Sequence, residues 1–133
     1  MKIEISLGEA YDRLSILEVK LGFIKDVNQL EALNLQKRQL CSEICDKERI
    51  NEEELSNKPL LKKLYLINRR AWVLTDENIR AIESKDAGRV FKLIGLIFNL
   101  NKRRVVIKNK ISASDDPRTT DYSSTCFPNY DSS

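Results

Sequence analysis

From Ser6 onward the apolar residues recur at intervals of three and four, the period of an amphipathic helix rather than a strand. Ser6 and Glu9 open the first run as an S-x-x-E capping box, in which the serine accepts an amide of the first turn and the glutamate reaches back to the cap. Ala10, Leu14, Leu17, Leu21 and Ile24 follow as a seam that faces other helices. Asp12 and Arg13 fall off that seam, so Asp12 reads first as a carboxylate near the start of a surface helix, where the macrodipole favours it. The phase slips at "KDVNQLEAL", where Asn28 and Glu31 offer a second capping box. A tight turn near residues 26–28 is preferred there to one long helix running through a stutter.

Leu30, Leu33, Leu40 and Ile44 restart the pattern with Lys37 in one slot, and "DKERINEEELSNKP" reads as a polar connection. Pro59 suits the first turn of the next helix, whose seam is Leu60, Leu64, Ile67, Ala71, Leu74 and Ala81, with Asn78 as its one polar member and Trp72 beside it, capping a core layer. "ESKDAG" breaks the period and Asp86 caps a last helix. Its seam begins with Val90, Ile94 and Ile97, widened by Phe91, Leu93 and Phe98, and ends polar at Asn101, Arg104 and Lys108. "KIEIS" is too short for an independent strand and reads as an extended arm held by Ile3 and Ile5. The expected fold is all-α: an antiparallel three- or four-helix bundle with coiled-coil seams. A short N-terminal arm (1–6) precedes helices over about 7–25, 29–48, 59–84 and 87–111, and an irregular acidic tail follows (112–133).

Composition narrows this picture. The chain of 133 residues is one domain in size, and four glycines and three prolines leave little of it to turns. It contains no run of apolar residues long enough to span a membrane and no signal-peptide start, so no membrane partner is expected and a cytoplasmic setting, or a virion if the source is viral, follows. Histidine is absent, which excludes Ser-His and Cys-His nucleophile pairs, imidazole acid–base chemistry and histidine metal ligands. Cys41, Cys45 and Cys126 match neither a redox nor a zinc spacing, and neither metal nor cofactor is expected. Charge is divided unevenly: the tail carries four acids and Arg118, leaving 22 bases against 16 acids in the body. Tyr122, Phe127 and Tyr130 make the tail a candidate strap onto a basic helical body, its own or a neighbour's.

If the helices alternate in direction, a rise of about 1.5 Å per residue puts Asp12, Glu18, Asn68, Asn101, Arg104 and Lys108 in one polar layer near one end of the bundle. Buried charges are tolerated when paired, so Asp12–Arg104 or Glu18–Lys108 bridges are natural there and fix helix register. The sharper alternative is a pocket in which Arg104 and Lys108 hold a carboxylate or phosphate while an acid moves a proton. A third reading takes Lys102, Arg103, Arg104, Lys108 and Lys110 as a nucleic-acid contact, although no helix-turn-helix spacing or stacking platform accompanies them.

Three stretches, "GEAYDRLSILEVK", "NRRAWVLTD" and "NKRRVVIKN", resemble in order and spacing a family of small all-helical proteins of unknown function from bacteria and viruses. Its pattern runs GExxD[KR]LSILExK, then NxxxWxxxD, then NxxRxxIKN. The matching positions are Gly8, Glu9, Asp12, Leu14, Ser15, Ile16, Leu17, Glu18 and Lys20, then Asn68, Trp72 and Asp76, then Asn101, Arg104, Ile107, Lys108 and Asn109. Arg13 stands where the family has lysine and Ala71 where it has isoleucine. The resemblance covers most of residues 3–111 and implies no activity, but it singles out the positions of the polar layer. On these grounds the expected function is a non-enzymatic interaction or assembly module that self-associates or binds a protein partner. A small-ligand enzyme and a nucleic-acid binder are the competing classes.

Overall fold

The computed structural model describes residues 5–115, and within them the chain is helical without strands. Five helices follow in order: α1 (Leu7–Phe23), α2 (Val27–Glu48), α3 (Glu52–Ser56), α4 (Pro59–Glu83) and α5 (Ala87–Asp115). The chain breaks between Phe23 and Val27, so α1 and α2 are separate helices.

The termini show why each helix starts where it does. Ser6 Oγ accepts the Glu9 amide at 3.1 Å. The expected reciprocal bond is replaced, because the Glu9 carboxylate turns instead to Lys108 on α5. Asp26, not Asn28, caps α2 through the Gln29 amide at 3.0 Å, an anion being the better partner for the positive end of the helix. "NEEEL" is not a plain connection. Asn51 and Glu54 form a full capping box, three acids fill the first turn, and the resulting α3 buries Leu55. Pro59 opens α4, and Asp86 Oδ1 accepts the Arg89 amide at 3.1 Å to open α5. Between these two helices Lys85 takes a left-handed φ of 59°. The Lys85 amide bonds Ile82 O and the Asp86 amide bonds Ala81 O, the paired bonds of a Schellman turn that reverses the chain.

Two corrections concern α5. It continues to Asp115 instead of stopping at 111, since Ser112 is buried and its hydroxyl accepts the Gly8 amide at 2.8 Å. Its core face also differs in part: Val90 and Ile97 pack on the core as expected, but Leu93, Ile107 and Ile111 are buried and Leu100 packs beside them, while Ile94 and Asn101 are exposed. Of the N-terminal arm only Ile5 and Ser6 lie among the described residues, and Ile5 packs on the core. Cys126 and the candidate strap residues Tyr122, Phe127 and Tyr130 lie outside them.

The main core draws on all five helices: Leu7, Ala10, Tyr11 and Leu14 of α1, Ile44 of α2, Leu55 of α3, Leu64 and Ile67 of α4, Ile107 and Ile111 of α5. At its centre runs α1, which packs against α2, α4 and α5 and so is buried nearly all the way round between Leu7 and Val19. A second core, Leu74, Ala81 and Leu93, is built by α4 and α5 alone, with Val90, Ile97 and Leu100 against it. Cross-contacts set the directions. Gly8–Ser112 and Asp12–Arg104 run α1 against α5, and Tyr11–Glu48 with Glu18–Lys37 runs it against α2. The α1 helix also leaves α4 obliquely: Phe23 lies about 16 Å along the axis from Asp12, yet stacks on Trp72, one turn past the Asn68 that bonds Asp12.

Candidate functional site

Asp12 is fully buried, contrary to its reading as a surface-helix residue, because α1 is the central helix and its first turns have no free face. Both oxygens of its carboxylate are engaged. Arg104 Nε donates to Oδ1 at 2.8 Å and Nη2 to Oδ2 at 2.5 Å, a bidentate pair, and Asn68 Nδ2 adds a bond to Oδ1 at 3.0 Å. Asn68 Nδ2 also donates to Ser15 Oγ at 2.7 Å, and Ser15 Oγ donates to the Asp12 carbonyl at 2.7 Å. One residue from each of α4 and α5 is thereby tied to the same turn of α1.

A second pair lies one turn along. Lys108 Nζ is 2.6 Å from Glu9 Oε2 and 3.8 Å from Asp12 Oδ2. Beside it the backbones of α1 and α5 nearly touch: a Cβ on Gly8 would lie 2.1 Å from Lys108 O. Glycine is required there by proximity, not by an unusual φ.

Of the six residues expected in a polar layer, Asp12, Asn68, Arg104 and Lys108 come together. Asn101 sits at the edge, exposed, with Oδ1 accepting from Arg104 Nη1 at 3.3 Å. Glu18 is elsewhere, paired with Lys37 of α2, so the Glu18–Lys108 bridge does not form. Glu9, Ser15, Ser112 and Gly8 belong to the cluster but escaped the expected layer. Glu9 and Ser15 lie three residues either side of Asp12 on the same helical face, which is the signal that was there to use.

The electrostatics describe a lock. Burial alone would raise the Asp12 pKa, but the hydrogen bonds from Arg104 and Asn68 and the charges of Arg104 and Lys108 outweigh it and hold the carboxyl below its ordinary value. The bond from Lys108 does the same for Glu9, and Asp12 raises Arg104. A carboxylate with a lowered pKa and both oxygens occupied is a poor proton acceptor at neutral pH. Burial likewise raises the Cys41 and Cys45 thiols, leaving little thiolate, and burial with the Glu48 acceptor keeps Tyr11 protonated. Among the described residues no group of three or more acidic or cysteine side chains is placed to hold a metal ion. Arg104 and Lys108 face acids inside the fold, so the basic run of α5 is not one continuous cationic face. No helix among the described residues is long and apolar enough to cross a membrane.

Past the lock, where α1 has veered away, α4 and α5 leave a groove of about 550 Å³ between them, lined by Ala71, Thr75, Asn78, Ile94, Phe98 and Arg104 among others. An adjoining cleft of about 420 Å³ runs between α1 and α4 beside Ile16, Val19, Trp72 and Ile79. Ile94 and Phe98 line this groove and Ile79 the adjoining cleft, and together with Ile82 and Phe91 they are exposed large apolar side chains of the distal hairpin, Phe91 being 84% exposed. Comparison of the chain with protein-family profiles, curated proteins and solved structures found no match to any of them.

Proposed function

We propose that this protein is a non-enzymatic assembly module. In this reading it is an antiparallel four-helix bundle with coiled-coil seams, and the distal half of its α4–α5 hairpin is a docking face for another protein in a cytoplasmic complex or a viral particle. One observation carries the proposal: Ile79, Ile82, Phe91, Ile94 and Phe98 are about half exposed or more on two helices that already share a core through other positions. Single exposed apolar residues are ordinary on a monomer, but a concentration of them on one end of a helical hairpin marks an interaction surface. Spacing supports the reading, because Phe91, Ile94, Phe98 and Val105 with Asn101 repeat at three and four residues and form a second coiled-coil seam beside the one that builds the core.

Within this proposal the polar layer is structural. Arg104 and Lys108 each carry an acidic partner within the fold, and the charges compensate one another. The resemblance to the small helical family then has a physical content. Its Gly8, Glu9, Asp12 and Ser15, its Asn68, and its Arg104 and Lys108 are the parts that hold α1, α4 and α5 in register. The acidic tail with Tyr122, Phe127 and Tyr130 remains an auxiliary strap in this scheme, and a deletion that tests it should begin at residue 116, because Ser112 is part of α5.

The test uses a dye that fluoresces on apolar surfaces, at a dilution that separates subunits. Wild-type protein should enhance the dye, and the variant carrying Phe91→Glu and Ile94→Glu should not. A wild-type protein that leaves the dye dark refutes the docking face.

A further inference from the structure

We infer that the cleft between α1 and α4 is a nucleotide site: a nucleobase enters it against the indole of Trp72, while Lys20 and Arg69 hold the attached phosphate outside. The site is a further activity of the molecule and does not depend on the docking face.

Its geometry starts from one face of α4. Arg69, Trp72, Asp76 and Ile79 stand there at spacings of three, four and three, so they succeed one another turn by turn. The first slot along this face is filled. Phe23 of α1 stacks on Trp72 with ring centroids 5.7 Å apart and planes 21° from parallel, and the Arg69 guanidinium lies 5.5 Å from the centre of the same Phe23 ring. The next slot is open. Trp72, Asp76 and Ile79 line a cleft of about 420 Å³ that has Ile16 and Val19 of α1 on its other side, a volume within the ~300–1,000 Å³ usual for small-molecule sites. Trp72 is 37% exposed, and among the described residues no second ring or cation packs on its indole. A flat group in the cleft can therefore stack on Trp72 as Phe23 does.

The chemistry around the cleft selects a nucleotide among flat ligands. Ile16, Val19 and Ile79 give it apolar walls, and stacking of a base on an aromatic side chain needs no particular base, since every base has a π-face. Asp76 supplies an acceptor. Arg80 Nη2 donates to its Oδ2 at 2.7 Å, which leaves Oδ1 for an N–H on the edge of the base. The same carboxylate repels phosphate, so the base goes in and the phosphate stays at the mouth. Lys20 stands one turn before Phe23 and Arg69 one turn before Trp72, neither of them paired with an acid among the described residues, on a body that carries 22 bases against 16 acids. An indole beside a carboxylate also suits an organic cation, but Lys20, Arg69 and Arg80 together repel one. The stacking surface that the basic run of α5 lacks is thus present on α1 and α4.

Trp72 is the one tryptophan of the chain, so its emission reads the site directly in the full-length protein. A single-stranded oligoadenylate of about ten nucleotides should quench it, and a duplex of the same length should not, because the bases of a duplex are already stacked. Binding followed by the anisotropy of a labelled strand should weaken roughly tenfold between about 50 and about 200 mM salt, as expected when about two or three phosphates are neutralised. Trp72→Ala should weaken it at least tenfold. Trp72→Phe keeps a ring and the contact with Phe23 and should stay within about threefold of wild type, which separates lost stacking from a lost fold. Lys20→Gln with Arg69→Gln should flatten the salt response while circular dichroism still shows a helical protein. Adenosine monophosphate distinguishes the source of the base: quenching as tight as by the oligomer makes a free nucleotide the ligand, quenching by the oligomer alone makes it a strand, and both keep the site. Emission unchanged by either at ~50 mM salt, undiminished binding by Trp72→Ala, or quenching by tetramethylammonium in place of the nucleotides overturns the inference.

Discussion

The two halves of the α4–α5 hairpin are built from the same kind of helix and are stabilised in opposite ways. In the proximal half the hairpin carries a third helix: Leu64, Ile67, Ile107 and Ile111 pack under α1, and Asn68, Arg104 and Lys108 are bonded to it. In the distal half Leu74, Ala81 and Leu93 form a narrow core between two helices, while Ile79, Ile82, Phe91, Ile94 and Phe98 are about half exposed or more. What separates them is the path of α1, which veers off at the level of Trp72. The lesson is that the apolar pattern of a helix records more than one neighbour: where α1 is present it satisfies the second seam, and where it is absent the seam stands bare.

The largest effect should come from breaking the proximal lock. Arg104→Ala leaves the fully buried Asp12 carboxylate with Asn68 and a distant Lys108, and should cost about 3 kcal/mol or more in chemical denaturation. Replacing the pair together, as Asp12→Leu with Arg104→Met, should recover much of that loss, since no charge is then stranded. A lock that contributed only surface electrostatics would show neither behaviour.

Next is Gly8→Ala. The new Cβ would sit 2.1 Å from the Lys108 carbonyl, so α1 and α5 have to separate. Overpacking of this sort costs roughly 1–3 kcal/mol, and it should also weaken the Gly8–Ser112 bond, seen as faster amide exchange at residue 8. A variant as stable as wild type would mean that the helices approach less closely than described.

Acid should then act on the proximal half. Asp12 and Glu9 have folded pKa values below their ordinary 3.8 and 4.5, so their contribution is complete above those values and disappears as the pH falls through the lowered ones. Stability measured from pH 6 down to pH 2 should fall in that window, and the drop should be much reduced in the Asp12→Leu, Arg104→Met variant.

The smallest effect on folding should come from the distal half. Phe91→Glu changes a side chain that is 84% exposed and should alter the stability of the isolated chain by no more than about 0.5 kcal/mol. Exchange should also be quicker around the Lys85 turn than at Leu64, because fewer elements must open to expose it. A large loss of folding stability from Phe91→Glu would mean that the bare seam contributes to the fold of the single chain, erasing the contrast between the halves.

How far this was legible in the sequence differs by element. The helices over 59–84 and 87–111 are close to α4 and α5 because Pro59 and Asp86 are local signals, needing only their own neighbours to act. Both α3 and the Asp26 cap are equally local: Asn51 with Glu54 is the same capping motif inside a polar stretch, and Asp26 stands two residues before the Asn28 that the capping-box pattern with Glu31 favours. The register of α5 was not local. Ile94, Ile97 and Phe98 are apolar on adjoining faces, and nothing in their spacing says which face meets α4. The Asp12–Arg104 pairing followed from counting levels along alternating helices, whereas the place of Glu18 did not, since α2 lies nearer to it than α5 does.

The sequence by itself determined the all-helical class, the reversals of the chain and the presence of acid and base at one level, because capping, period and helical rise act within a few residues. Only the tertiary structure decided that α1 is the central helix, that Gly8 is the point of closest approach to α5, and that α1 parts from the hairpin at Trp72. Those depend on the angles at which helices cross, which are set by the fit of side chains from distant parts of the chain and are written in no single stretch of it.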